Sequence, residues 1–597
     1  IFYNGDSVSF EDTANATETI TIPDTVEPSV LNAVNTAATT FVLTGPGKIS
    51  GSAQLNVTGG GTLLLSTTGG NNFTGPVTVS NASTLGIGDA AALPATGQVQ
   101  LLGGTLDVGT TAGALAGTIS MIGASVLTAS GGQLAATAII AQGGLIAADL
   151  IGSGSLAVTN NSTVQLNAAA SHSGGTTIAA GSTMELYSNA NIANGIVNNG
   201  ILSGMEAATT TVNLTGTISG TGAVQQNGSG TLRLNGAQTY SGATTVNGGT
   251  LDLATGDARL YSDTYRTTTL TIQTGGTLRA ARLSHGFANN LGQLTNNCPN
   301  SVINGGTLDL VGIADTSARG WTIGTNGATI RSAGATAQVW QPSNEAWTQI
   351  DLNNGATLTF DVGGTFQLKS TIMDYTGTPG GAGGVSTSNG GVIKTGAGTL
   401  TMSALTLTAA AGSHRYTGPT IIQQGTLVLD VSLGTSPVVV SDSATFAIGG
   451  GIATVGTGGL TLGATSTLTL QVDTTSVTAD RINVAGNVAL NGATLNLSTL
   501  GASTLTAGTK FTLISYSGSL SGEFSGLLEG SNISIGANTF KLRYADTNAV
   551  TLEVVSSGYS GWASANGANG QNPDQDHDND GMPNGLEYFM GETGSSF

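Results

Sequence analysis

Residues 228–253, GSGTLRLNGAQTYSGATTVNGGTLDL, constrain the fold of this chain more than any other stretch. Apolar and small polar residues alternate in three short runs, 231–234, 243–246 and 250–253. That is the period-2 pattern of strands with one buried face. Turn residues separate the runs: Gly228, Gly230, Asn235, Gly236, Gly242 and Asn247 to Gly249. Such residues take positive φ at little cost, and nothing here favours a helix. The same phrase returns at 59–88, 162–187 and 396–430 as a GTL-type strand, a loop, an aromatic residue or His before Ser/Thr-Gly, then strand, turn and strand. Shorter echoes are GGTLDV (103–108), GGTLRA (275–280), GGTLDL (305–310), GATLTF (355–360) and GATLNL (492–497). An imperfect repeat of roughly 20–30 residues made of strands and turns predicts a solenoid, which grows rung by rung around a shared core.

Composition removes the main competitors. The 92 glycines have no Gly-X-Y period, which excludes collagen. The 39% hydrophobic residues alternate with polar ones, which argues against disorder. No run of about 18 apolar residues occurs, so no transmembrane segment is expected. A net charge of −19 leaves no basic footprint for nucleic acid and favours divalent cations. The single cysteine, Cys298, allows no intrachain disulfide. The first residue is Ile1 rather than Met, giving the expectation of a mature exported form whose signal peptide has been removed.

Four regions are expected. Residues 1–45 read as an N-terminal cap or as strands that join a neighbouring subunit, through Ile1, Phe2, Tyr3, Val8, Phe10, Ile20 and Ile22. Residues 46–470 read as solenoid repeats. Within them 254–345 depart from the pattern and carry Arg259, Arg266, Arg279, Arg282, Arg319 and Arg331, with Tyr261, Tyr265, Trp321, Trp340 and, just beyond, Trp347. They read either as an insertion whose arginines pair with acids or as a contact face for glycan or another subunit. The glycine-rich stretch 378–391 reads as a loop. Residues 471–555, with longer strands and bulkier side chains, read as the last rungs and a cap. Residues 556–597 read as a linker, a short helix near Trp562–Ala565 and a metal-binding loop.

GSGTLRLNGAQTYSGATTVNGGTLDL resembles the autotransporter-associated β-strand repeat, also called the passenger-associated transport repeat. The stretch 471–555, with DRINVAG, GTKFTLI and GEF, is similar to the C-terminal passenger region of such proteins. The resemblance implies an all-β, right-handed parallel β-solenoid (β-helix), exported to the surface of a Gram-negative bacterium. Most members of that family are adhesins and surface scaffolds. The C-terminus departs from it: in place of the amphipathic strands of a translocator barrel, the tail is similar to the Trp-containing, calcium-loop C-termini of large exported proteins from Verrucomicrobia-like bacteria.

That tail holds the metal-like constellation. In DHDNDGMPNGLE, Asp576, Asp578 and Asp580 occupy positions one, three and five of an EF-hand loop. Gly581 makes the turn at six, the Met582 carbonyl stands at seven, Asn584 at nine and Glu587 at twelve. Clustered hard oxygen ligands suit Ca2+. Asp574 could add an outer ligand, and His577 is expected to point away. Pro583 at position eight favours a single structural site over a paired sensor.

No catalytic set emerges. His172, His285, His414 and His577 are scattered. Asp107, Asp252 and Asp309 share the slot after GTL, which is an ordinary strand position. The expected function is therefore non-enzymatic: an extracellular rod that self-assembles head to tail into a filament, sheath or layer. About 500 residues at roughly 22 per rung and about 4.8 Å per rung predict a length on the order of 100 Å. The alternatives are a monomeric adhesin for glycan or matrix, and a polysaccharide lyase or hydrolase.

Overall fold

The computed structural model describes residues 2–12, 16–254, 258–260, 269–281, 300–311, 320–334, 338–340, 349–375, 388–403, 414–555 and 558–591. The chain divides into two compact units, the first ending at Val311. Each is a parallel β-solenoid.

In the first unit the repeated threonines and leucines become columns. Thr62, Thr84 and Thr105 pair in register, and beside them Leu63, Leu85, Leu106 and Leu127 stack. All four leucines are fully buried. A later column runs Thr211, Thr231, Thr250, Thr277 and Thr307, with Leu232, Leu251, Leu278 and Leu308 buried beside it. The opening motif forms strands Thr231–Leu234, Thr244–Val246 and Thr250–Asp252, close to the expected runs. The turn before Thr250 needs glycine. Gly249 sits at φ 51°, and a Cβ there would lie 2.3 Å from the Gly230 carbonyl of the rung below.

The aromatic or histidine of each repeat is a corner plug. Phe73, His172, Tyr240 and Tyr416 are all buried. Each stands four residues before a position at or near the start of a strand. Tyr240 and Tyr416 hydroxyls meet the Thr244 and Thr420 hydroxyls at 2.6 Å, and His172 Nε2 lies 3.4 Å from the Thr176 hydroxyl.

The expectation that 254–345 leave the repeat pattern needs revision for the described strands. Leu270–Gln273, Thr277–Ala280, Ser301–Asn304 and Thr307–Leu310 continue the ladder in register. These strands keep their register although the sequence between them is longer than elsewhere in the repeats. Trp321 is fully buried, so its ring is core rather than contact face. Trp340 lies in strand Gln338–Trp340. Tyr261, Tyr265, Arg266, Arg282, His285, Cys298, Arg319, Trp347 and most of 378–391 lie outside the described residues.

Two expected arginines pair with acids. The slot after TL alternates in sign up the wall: Arg233, Asp252, Arg279 and Asp309 are direct register partners. Asp252, 1% exposed, lies 3.2 Å from Arg233 Nε and 3.5 Å from Arg279 Nη1. Arg279 Nε also lies 3.8 Å from Asp309. In the second unit Arg331 meets Asp361 at 3.2 Å.

The N-terminal strands are the first rung of the same ladder. Ser7–Glu11 pairs in parallel with Val30–Val34, and Thr17–Thr21 with Thr40–Gly45. Phe10 packs on Phe41 with ring centroids 5.6 Å apart. Val8, Phe10 and Ile20 are half-buried, Ile22 is buried, and Phe2 and Tyr3 are exposed. Ile1 lies outside the described residues.

In the second unit Thr399, Thr426, Thr445, Thr467 and Thr494 form the corresponding column. At its C-terminal end the pairing changes direction. Arg481–Val484 pairs in parallel with Lys510–Tyr516, which then pairs antiparallel with Ala549–Val555. Asn538–Arg543 and Asn532–Ile535 add further antiparallel strands. An antiparallel meander spreads sideways and stops the parallel stack on that face. Among the described residues no helix is long and apolar enough to cross a membrane.

Candidate metal centre

Two short helices carry the C-terminal module: α1, Tyr559–Ala565, and α2, Asn584–Met590. Tyr588 of α2 packs edge-on against Tyr559 and Trp562 of α1, at 6.0 and 6.3 Å between centroids. Gly591, at φ 75°, ends α2 in the left-handed conformation common at helix C-termini. The loop before α2 is held by its own acids. Gly581 N–H donates to Asp576 Oδ2 at 2.8 Å, Met582 N–H to Asp580 Oδ1 at 2.8 Å, and Asp580 N–H to Asp578 Oδ1 at 3.3 Å.

Asp576, Asp578 and Asp580 bring carboxylate oxygens within 4.8 Å of one another, and no other group of three or more His, Cys, Asp or Glu does so among the described residues. Glu587 is fully buried on α2. Both its oxygens, Asp576 Oδ1 and Asp580 Oδ2 are buried without a hydrogen-bond donor. Burial raises the Glu587 carboxyl above its usual range, and the charges of Asp578, Asp580 and Asp576 push it further up. Clustered aspartates with buried unsatisfied oxygens on Asp576, Asp580 and nearby Glu587 repel one another unless a cation sits among them. Hard carboxylate oxygens at this density fit calcium or a similar divalent ion.

The remaining sequence-derived positions fall differently. Asn584 is fully buried, but its Oδ1 accepts from His577 N–H at 3.0 Å and its Nδ2 donates to Gln571 at 3.0 Å. It therefore anchors the loop to α2. His577 Nδ1 lies 3.4 Å from Gln571 Nε2, directed at the scaffold. Met582 is fixed through its amide. Asp574 is exposed. The sequence reading missed Gln571, whose position five residues before the loop carries no ligand signature.

The candidate wall aspartates are brought into no common catalytic group. Asp252 and Asp309 stand in the arginine column, and Asp107 Oδ1 accepts from Gly109 N–H at 2.9 Å.

No curated protein matches the chain. The passenger-associated-transport-repeat family matches residues 55–85, 151–184, 224–253 and 392–429, three segments in the first unit and one in the second. Those segments contain all four corner plugs and the column leucines Leu63, Leu85, Leu232 and Leu251; the columns run on beyond them through Leu106, Leu127, Leu278 and Leu308. The chain thus carries four copies of the passenger-associated transport repeat, a repeat that suggests a passenger-type protein at the surface of, or secreted by, a Gram-negative bacterium.

Proposed function

We propose that this protein is a non-enzymatic extracellular structural element, a β-solenoid that polymerises head to tail into a filament, sheath or layer and uses Ca2+ to stiffen its C-terminal module. The observation that carries the reading is the ladder itself. Column after column of buried leucines beside threonine pairs makes a stiff wall.

Two features support the assembly half. Among the described residues Ser7–Glu11 and Thr17–Thr21 each have a strand partner on one side. The half-buried Val8, Phe10 and Ile20 lie on these strands, with exposed Phe2 and Tyr3 close by. An open strand edge beside incompletely covered apolar groups accepts another strand readily. For calcium, the support is the set of unsatisfied carboxylate oxygens around Glu587.

Negative-stain microscopy of the protein with and without calcium tests both halves. Polymers are expected with calcium and shorter or dispersed ones after EDTA, with Glu587→Gln behaving like the chelated protein. Polymers indifferent to complete calcium removal overturn the calcium half. Deleting residues 1–22 is expected to leave soluble monomers, and persisting polymers overturn the strand-addition half. A wild-type monomer that binds a glycan or matrix saturably is an adhesin instead, and turnover of a polysaccharide makes the chain an enzyme.

A further inference from the structure

One buried carboxyl belongs to neither the metal loop nor the ion-pair column. Glu206 is 1% exposed and follows strand Ile201–Gly204. On the next rung Gln226 pairs in register with Gly204 and is fully buried. A Cβ on Gly204 would lie 2.2 Å from Gln226 Oε1 and 2.8 Å from Glu206 Oε2. The two oxygens therefore share the small space left over a bare Cα.

The orientation of Gln226 is fixed. Its Nε2 donates to the carbonyls of Gly228 and Gly230 at 3.1 and 3.4 Å, which turns Oε1 towards the carboxyl. Gln226 Oε1, Glu206 Oε1 and Glu206 Oε2 are all buried, and none meets a hydrogen-bond donor. Buried acceptors crowded together cost free energy, because burial has taken each from bulk water. A single proton placed between them changes the sign of the contact.

A second repeat shows what the slot accommodates. Gln226 is the third residue of the matched segment 224–253, and Lys394 is the third of 392–429. Lys394 is fully buried, and its Nζ donates to the carbonyls of Thr395, Gly396 and Gln424 at 2.6, 2.7 and 3.0 Å. Where the later repeat has an ammonium, the earlier one has a neutral amide, and the carboxyl beside it has no cation.

We propose that Glu206 is held as the neutral acid in the folded protein and donates its proton to Gln226 Oε1, making this rung a latch that loosens when the carboxyl ionises. Burial favours the neutral form and raises the carboxyl, outweighing its own backbone amide and the Gln226 amide, neither of which stands in hydrogen-bond geometry to it. The titratable groups on and beside the stacked strands are Glu185, Tyr187 and Arg233. Glu185 bonds Gln165 and Tyr187, and Arg233 pairs with Asp252. No charged group contributes to the shift of Glu206. A carboxyl raised in the folded state stabilises fully below its unfolded value of about 4.3, and that contribution is lost as pH rises through the folded value. The strain then falls on the amides of Asn227 and Gly228, which donate to the Gly204 carbonyl, and of Gly230, which donates to the Glu206 carbonyl.

The test compares the wild-type chain with Glu206→Gln and Gln226→Lys. Infrared difference spectra should show a protonated carboxylic acid in the wild type at neutral pH that both variants lack. Intrinsic-rate-corrected exchange protection of the Asn227, Gly228 and Gly230 amides should fall in the wild type as pH rises and stay level in Glu206→Gln. Gln226→Lys should also remove that fall, since the new ammonium stabilises the ionised carboxyl in a slot that Lys394 shows to accept lysine. If Glu206→Gln fails to fold, the lysine variant still decides. An absent acid band, or wild-type pH dependence in both variants, overturns the latch. Protection that follows sodium or potassium concentration at constant pH, without the acid band, overturns it in favour of a bound cation.

Discussion

Leu251→Ala tests whether the leucine column acts as a nearest-neighbour stack. Leu251 is fully buried between Leu232 and Leu278, which are also fully buried. Backbone ladders hold the rungs at fixed spacing, so the cavity left by alanine cannot close. Large-to-small changes at such sites cost 2–5 kcal/mol, and about 3 kcal/mol is expected here. At tenfold per about 1.4 kcal/mol, local exchange protection should fall roughly 100-fold. Because each rung touches only its neighbours, the loss should concentrate at the amides of Leu232, Leu251 and Leu278. Leu63, fully buried in an earlier column, should stay protected. Native-state hydrogen exchange reads all four positions. Leu251→Ala with Leu278→Ala should couple by about 0.5–3 kcal/mol, while Leu251→Ala with Leu63→Ala should add. Equal loss at Leu63, or equal coupling to both partners, refutes the nearest-neighbour account.

Acid should weaken the second unit through His414, whose Nδ1 accepts from Ile372 N–H at 3.0 Å. Burial lowers this histidine to about 4, so the unfolded chain takes up its proton first. Stability is full above about pH 6.5 and falls towards pH 4, by about 3 kcal/mol in all. His414→Gln should flatten this acid limb in denaturant titrations, and an unchanged limb assigns it elsewhere. Tyr416→Phe removes the hydroxyl from the chain Tyr416–Thr420–Ser436, joined at 2.6 and 2.9 Å. It should cost about 1 kcal/mol by denaturation with the fold retained, since Phe73 fills the same slot in another repeat. In the sign-alternating column, replacing Arg233 and Arg279 together by methionine should cost more than Asp252→Ala. The double change leaves a buried carboxylate without these two cations, whereas Asp252→Ala leaves arginines that are 31% and 42% exposed and can rehydrate. The reverse order in melting measurements removes that explanation.

The repeat could be read from sequence because its information is local. A strand of alternating residues, a glycine at a positive φ and a fixed aromatic slot each announce themselves within a few residues. The acid cluster of the C-terminal loop was legible for the same reason, its aspartates lying close together in sequence. The role of Asn584 was not, since its partners His577 and Gln571 are chosen by how α2 folds back on the loop. The wall column was half visible: TLR, TLD, TLR and TLD stand in the sequence at 231–233, 250–252, 277–279 and 307–309. Their unequal spacing conceals that they are neighbours, and the residues between them made 254–345 look like a departure from the repeat pattern.

Sequence alone determined the all-β repeat architecture, the alternation of apolar with small polar residues, the slot for an aromatic residue or histidine, and the loop acids. Each follows from side-chain periodicity and backbone preference within a single rung. Tertiary structure decided what depends on the register between rungs. It placed Asp252 between two arginines, Trp321 in the core, and Glu206 against the one amide oxygen that a bare Gly204 lets it reach. A strand's own sequence says which face it buries, but only stacking says which side chain lies above it.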